Sequence, residues 1–499
     1  MIANQTALPN DSQSMKDRGW KQLGLMVLGA ILAVRIVSLW FNNTELFFDE
    51  AQYWAWGKEP AFGYFSKPPL LAWIIGVITA IFGDSEFAIR LVSPVLHTAT
   101  AAMIGLIAAR LFDEKTGFWS AVLYATLPAV SLSSTVISTD VPLLFLWSVA
   151  LYAFLRLEER NDIGSAILLA VAIGLGMLAK YAMLYFLACA ILYSLIVSDR
   201  PHMLARSKFW LALGGALLLF APNIIWNFQN SFATVGHTGE NIGWGGGLHL
   251  VSLSEFLGSQ FGVMGPLLFG IFLAAIFRLP IEGINRQQVF LLCFSVPVLV
   301  IICFQALMSK AYANWAALTY VAATILVADL MVNRIPQWWL RVSMTIHAVV
   351  FAVLAIAVAF SQPGQLPLPE GVNPFVRMQG SREMAATIRQ AVSGQDYKVI
   401  VSDNRRGASL MIYYLRDENV PIRSWFDGGR PNDHFEMTRA WQDEKLEPVL
   451  YFTWSRNPAA IISQFNDAEL VSETPLASGE ISRIWLYRLA GYRGSGSSQ

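Results

Sequence analysis

The sequence predicts an α-helical polytopic membrane protein of about 11 or more spans, ending in a small water-facing α/β domain. Three observations lead there. The 499 residues are 55% hydrophobic and only 14% charged, with a mean hydropathy of +0.47, against about 25% charged residues in soluble domains. Long apolar runs recur, each near the roughly 20 residues a helix needs to cross a bilayer. Charge is also uneven, with 39 charged residues in 1–360 and 31 in 361–499. The deficit excludes a soluble enzyme, a disordered chain and a nucleic-acid binder, and makes membrane lipids a partner. Lys+Arg and Asp+Glu balance at 35 each, so net charge selects no partner.

Residues 1–21 are polar and precede a long apolar run, the pattern of a signal anchor rather than a cleaved signal peptide. Spans are expected near 22–41, 88–109, 117–137, 141–157, 163–179, 181–198, 209–226, 251–277, 288–308, 314–332 and 339–360. The stretch 70–83 is short for a span and suits a helix at the membrane surface. With a cytoplasmic N-terminus, 14 Lys and Arg fall in inner segments and 5 in outer loops, the bias expected of a multi-pass protein. The transmembrane domain is thus 22–360, with a large outer loop at 42–87. An outer α/β domain follows at 361–492, and 493–499 is a flexible tail. In that domain KVIVSD (398–403), PVLYFTW (448–454) and SRIWLYRL (482–489) read as strands, and SREMAATIRQAV (381–392) as a helix. The three cysteines, Cys189, Cys293 and Cys303, lie in apolar runs and imply no disulfide framework.

The outer charges gather at span ends, where ionisable groups are costly and functional by default. FFDEAQYWAW (47–56) places Asp49 and Glu50 after the first span among aromatics. The pair can supply a base, hold a cation, or simply start a helix. In GYFSKPPLLAWI (63–74), Lys67 precedes two prolines that fix a turn, so it either meets a phosphate or snorkels at the surface. SSTVISTDVPLLFLW (133–147) puts Asp140 at the mouth of a span, as a functional carboxylate or an N-cap. GLGMLAKYAMLYF (174–186) puts Lys180 between apolar runs, as a functional cation or a hairpin connector. Arg90 is a further cation that can instead pair with Asp84 or Glu86. Tyr53, Tyr64, His237, Lys310 and Asn314 are candidate substrate contacts. Arg35 lies inside the first span and needs a partner. A carboxylate that takes a hydroxyl proton, beside cations that steady a departing phosphate, forms a coherent transfer site. No phosphate-binding glycine loop and no metal-ligand spacing is present, so no cofactor is indicated with certainty, while a divalent metal stays open.

The run DEAQYWAW, YFSKPPLLAWI, STDVPLLF and GLGMLAKYAM resembles the integral-membrane GT-C glycosyltransferases over most of 22–330. Within them it is most similar to the aminoarabinose transferases, protein O-mannosyltransferases and rhizobial-type lipopolysaccharide galacturonosyltransferases, the last also through PNIIWNFQNSF (222–232). The resemblance implies a GT-C fold in a bacterial inner membrane, with site and α/β domain periplasmic. It implies inverting transfer of a sugar from a polyprenyl-phosphate donor to a lipid A or lipopolysaccharide-core acceptor. It makes Asp49 the catalytic carboxylate, with Glu50 and Asp140 beside it, and Lys67, Lys180 and Arg90 contacts of the donor phosphate. Aminoarabinose enzymes carry Arg and Glu where this chain has Gln52 and Ser66, which argues against that sugar. Two alternatives are a protein O-glycosyltransferase with the same donor class and a lipid-linked sugar transporter; one-sided charge disfavours the transporter.

Overall fold

The computed structural model describes residues 11–197, 203–245, 247–362, 364–365, 373–441 and 446–494. Residues 1–10 and 495–499, which hold the start of the expected cytoplasmic segment and most of the expected tail, lie outside them. The chain divides into two compact units. One comprises Met1–Leu39, Leu91–Ile225 and Gly239–Ala355, the other Trp40–Arg90, Trp226–Thr238 and Ile356–Gln499.

The first unit is helical. Among the described residues six helices are long and apolar enough to cross a membrane: Lys16–Trp40, Glu86–Leu111, Asp140–Arg160, Ser207–Gln229, Arg286–Met308 and Gln337–Phe360. Helix Asp11–Trp40 starts well before the apolar run does. The expected count of about 11 is not matched by length, for local reasons. The 117–137 run divides into Glu114–Thr126 and Pro128–Ser133, because Pro128 has no N–H and its ring collides with the preceding turn. The 251–277 run divides into Leu250–Met264 and Pro266–Glu282, bent by 117°. At that bend Gly265 has φ +92°, and a Cβ there would stand 2.5 Å from His347 Nε2, so only glycine fits. Ile163–Ala179 and Thr319–Asn333 are apolar but run to 17 and 15 residues.

Helix starts in this unit follow simple capping chemistry. Asp113, Asp162 and Asn285 accept hydrogen bonds from the N–H groups of Thr116, Ser165 and Gln288, each at 2.8 Å. Arg35 finds partners inside the protein: it donates to the Ala125 carbonyl and lies 5.8 Å from the Phe351 ring.

The second unit joins the outer loop to the α/β domain, so the expected boundary at 361 does not separate them. The loop folds with the domain because its polar groups find their partners there. Leu46 N–H donates to Tyr414 Oη at 2.8 Å, Tyr413 Oη donates to the Asp84 carbonyl at 2.9 Å, and Arg439 meets Glu59 at 2.7 Å. Within the loop, helices Phe48–Lys58 and Leu70–Phe82 cross closely. A Cβ on Gly76 would lie 2.6 Å from the Gly57 carbonyl oxygen, which explains the glycine. The second helix is the short apolar one expected over 70–83.

The sheet has the order β3-β2-β1-β4-β6-β5. Its strands are β1 Val399–Ser402, β2 Ile422–Trp425, β3 Ala440–Trp441, β4 Val449–Thr453, β5 Phe465–Pro475 and β6 Arg483–Tyr492. β1, β2, β3 and β4 pair in parallel, and β6 turns antiparallel against β4 and β5. The three expected strands are β1, β4 and β6, and the expected helix is Ser381–Val392. β2, β3 and β5 were not expected, since two are very short and β5 is largely exposed and polar.

Candidate functional site

In the second unit the acidic pair opens helix Phe48–Lys58, but neither carboxylate is its N-cap. That position is Phe47, and the Glu50 side chain reaches back to accept from its N–H at 2.9 Å. Asp49 and Glu50 then part company. Glu50 is 2% exposed and Arg90 1%. Arg90 Nε and Nη2 grip the two Glu50 oxygens at 2.9 and 2.7 Å. Its remaining bonds go to Thr44 O and Oγ1, both at 3.0 Å, and Glu45 O at 2.8 Å. This corrects two expectations. Arg90, with its fork engaged and buried, has no donor left for a phosphate, and Glu50 is its counter-ion rather than a catalytic acid. Asp84 and Glu86, the other expected partners of Arg90, pair with Lys58 and Arg382, each at 2.6 Å.

Asp49 stays accessible, with its side chain 34% exposed. Burial of its surroundings pushes the carboxyl above the usual aspartate range and Glu50 pushes the same way, while Arg405, Lys67 and Arg377 pull it down. Arg405 Nη1 is 3.3 Å from Asp49 Oδ1. Lys67 is half-buried beside the two prolines and close enough for its charge to act on Asp49. The structure thus brings Lys67, Arg405 and Arg377 close to Asp49. Those two arginines carried no readable signal, because they lie in a polar domain whose arginines look alike.

Tyr53 and Tyr64 are corrections as substrate contacts. Tyr53 is 4% exposed and edge-on to Trp56. Tyr64 is fully buried, stacked on Trp56 at 4.6 Å, and donates its hydroxyl to the Trp56 carbonyl at 2.8 Å. His237 lies in helix Ala233–Ile242, with its ring 5.6 Å from Phe65.

The first unit holds a second cluster. Asp140 occupies the first turn of helix Asp140–Arg160, after Thr139 at the N-cap. It caps nothing: it accepts from Lys180 Nζ at 2.6 Å and from Asn314 Nδ2 at 2.7 Å. Lys180 ends helix Ile163–Ala179 in extended backbone and connects it to the 3-10 turn Tyr181–Leu184. It is therefore both connector and ion-pair partner. A mostly apolar cavity of about 330 Å³ adjoins the cluster, with Asp140, Asn314, Leu144, Val263 and Tyr320 in its walls. Lys310 is exposed and lies 5.9 Å from the Tyr312 ring. Among the described residues no group of three His, Cys, Asp or Glu is placed to hold a metal ion.

Residues 66–226 match the family described as dolichyl-phosphate-mannose-protein mannosyltransferase. Lipid A galacturonosyltransferase RgtD of Rhizobium johnstonii is 37% identical over 437 residues, covering 86% of this chain and 90% of that enzyme. Undecaprenyl phosphate-alpha-4-amino-4-deoxy-L-arabinose arabinosyl transferase of Pseudomonas aeruginosa is 29% identical over 168 residues, 32% of this chain and 29% of that one. The crystal structure of ArnT from Cupriavidus metallidurans, apo and bound to undecaprenyl phosphate, superposes with a TM-score of 0.67 at 16% identity, covering 95% of this chain and 98% of that one. At that identity the likeness speaks for the fold. The mannosyltransferase match, the ArnT-like fold and above all the extent of the likeness to RgtD agree: this chain is a multi-pass membrane glycosyltransferase of GT-C type and belongs to the family of the lipid A galacturonosyltransferase RgtD.

Proposed function

We propose that this protein transfers a uronic acid, galacturonate by its relation to RgtD, from a polyprenyl-phosphate donor to a hydroxyl of lipid A. Transfer takes place on the periplasmic face of a bacterial inner membrane. The observation that carries the reading is the divided acidic pair. Glu50 is spent on Arg90, whereas Asp49 is accessible, basic for its type and beside Lys67. A base raised above the usual aspartate range abstracts a proton more readily than an ordinary surface aspartate.

In the proposed reaction Asp49 takes the proton of the acceptor hydroxyl as its oxygen attacks the anomeric carbon. The new C–O bond forms opposite the bond to phosphate. That bond breaks with its electron pair going to the phosphate oxygen, so the configuration inverts. Polyprenyl phosphate leaves, steadied by the Lys67 ammonium. We also propose that Lys180 binds a phosphate within the first unit: the phosphate would replace or share Asp140 as its anionic partner, while Asn314 holds Asp140 in place. The apolar cavity beside that cluster suits a prenyl segment. His237 in the second unit and Lys310 in the first are each proposed as a substrate contact within its own unit.

Mass spectrometry of lipid A, core oligosaccharide and polyprenyl phosphates, from cells with and without the gene, tests the reading. Loss of a uronic acid from lipid A, with accumulation of its polyprenyl-linked precursor, is the expected result. Unchanged lipid A together with loss of sugar from exported proteins would replace lipid A by a protein acceptor.

A further inference from the structure

Glycosyl transfer needs a base and phosphate ligands, but a uronic acid also brings a carboxylate that something must recognise. Surface lysines serve poorly for this, whereas a guanidinium fork matches a carboxylate in two parallel bonds. The second unit holds three guanidinium groups over the two phenylalanines that precede Asp49. Arg377 lies 4.8 Å from the Phe47 ring, and Arg405 and Arg406 lie 4.9 and 5.2 Å from the Phe48 ring.

They are not equivalent. Arg377 and Arg406 both pair with Glu480, at 3.5 and 2.5 Å. Arg406, then Arg377, holds the Glu480 carboxyl below the usual glutamate range. Arg405 is left with weaker company. Its two polar contacts, an ion pair with Asp49 Oδ1 and a hydrogen bond to Gln52 Oε1, are both 3.3 Å long and both use Nη1. The Asp433 carboxylate also feels its charge, but is occupied in capping its own helix through Phe435 and Glu436 N–H. Nε and Nη2 of Arg405 have no hydrogen-bond partner among the described residues, and the side chain is 33% exposed.

The backbone beneath it is firmly set. Arg405 is the first residue of helix Arg405–Tyr414, which Asn404 caps through Gly407 N–H at 2.8 Å. A Cβ on Gly407 would meet Ser402 Oγ at 2.6 Å and the Phe452 ring at 2.9 Å, so the helix start is seated directly on β1 and β4. The fold therefore presents an underused guanidinium, on a rigid base, to the carboxylate that serves as base.

We propose that Arg405, supplied by the C-terminal α/β domain, determines the choice of sugar by exchanging its single long contact with Asp49 for a two-bond contact with the carboxylate of the donor's uronic acid. This rests on the proposed uronic acid donor. It also links recognition to catalysis, because withdrawal of Arg405 removes the foremost cation holding Asp49 down, while Lys67, Arg377 and Glu50 remain. A correct donor thus makes its own base stronger. A neutral sugar leaves Arg405 on Asp49.

The test uses the full-length protein in lipid vesicles with lipid A and two polyprenyl-phosphate donors, one carrying the uronic acid and one its uncharged amide. Wild type is expected to favour the acid. Arg405→Ala is expected to lose on the order of 10- to 100-fold in kcat/KM for the acid donor, with a smaller loss for the amide, so that the preference collapses. Arg405→Lys, which keeps charge but not the fork, is expected to fall between them. With the amide donor, the acid limb of kcat is expected to move to higher pH in Arg405→Ala, a shift that a purely structural role would not give. Equal losses for both donors, or an undiminished preference in Arg405→Ala of wild-type thermal stability, would overturn the assignment. A wild-type protein that transfers neither donor would instead overturn the underlying function.

Discussion

Asp49→Asn is expected to lower kcat by about 10²- to 10⁴-fold, the usual contribution of a positioned general base, without lowering thermal stability. The exchange keeps the side chain's size and removes only its charge and basicity. Its ion-pair contact with Arg405 is long and partly exposed, so little folding energy is at stake. Rates are checked by transfer to lipid A and stability by thermal unfolding in detergent. The pH profile provides a second check. Asp49 must be ionised to act, so wild-type activity falls as pH drops through its pKa. Burial puts that limb above the ordinary aspartate value of about 3.9, against the pull of Arg405, Lys67 and Arg377. Whatever activity Asp49→Asn retains is expected to lack that limb. Wild-type turnover in this variant would remove Asp49 from the chemistry.

Arg90→Met is expected to destabilise the protein by about 3–5 kcal/mol, since it strands the Glu50 charge in a site from which water is excluded. It also removes the bonds that tie Thr44 and Glu45 to this point. The double variant Glu50→Leu with Arg90→Met is expected to recover much of the loss, because no buried charge is then left unpaired. Thermal unfolding of the three proteins decides it. If Arg90→Met kept wild-type stability and lost only affinity for the donor, Arg90 would be a phosphate ligand after all.

These two outcomes show where the sequence was informative. The membrane class, the short helix after the prolines, three strands of the sheet and the family resemblance were legible. Each rests on local composition, periodicity or motif order. The acidic pair was legible as a pair but not as a division of labour. Which carboxylate faces Arg90 is decided by the first turn of a helix, where successive residues point about 100° apart. Tyr64 looked like a ligand contact because it sits among functional residues, yet its stacking partner Trp56 lies eight positions away in a separate turn of chain. Breaks within the apolar runs were not legible, because apolar composition does not reveal a bend such as that at Gly265–Pro266, where the need for glycine comes from His347 far along the chain. Arg405 was invisible for a similar reason: it lies 356 positions from Asp49, and only the folded domain brings the two together.

The most direct test of the central claim is a defined reaction. Purified protein in vesicles is given a polyprenyl-phosphate uronic acid and lipid A, and the products are read by mass spectrometry. The expected result is lipid A carrying one added uronic acid with inverted anomeric configuration, polyprenyl phosphate released in equal amount, and both products formed at least about 100-fold more slowly with Asp49→Asn. Donor left intact by the wild type, or sugar passed to lipid A equally well by Asp49→Asn, would contradict it.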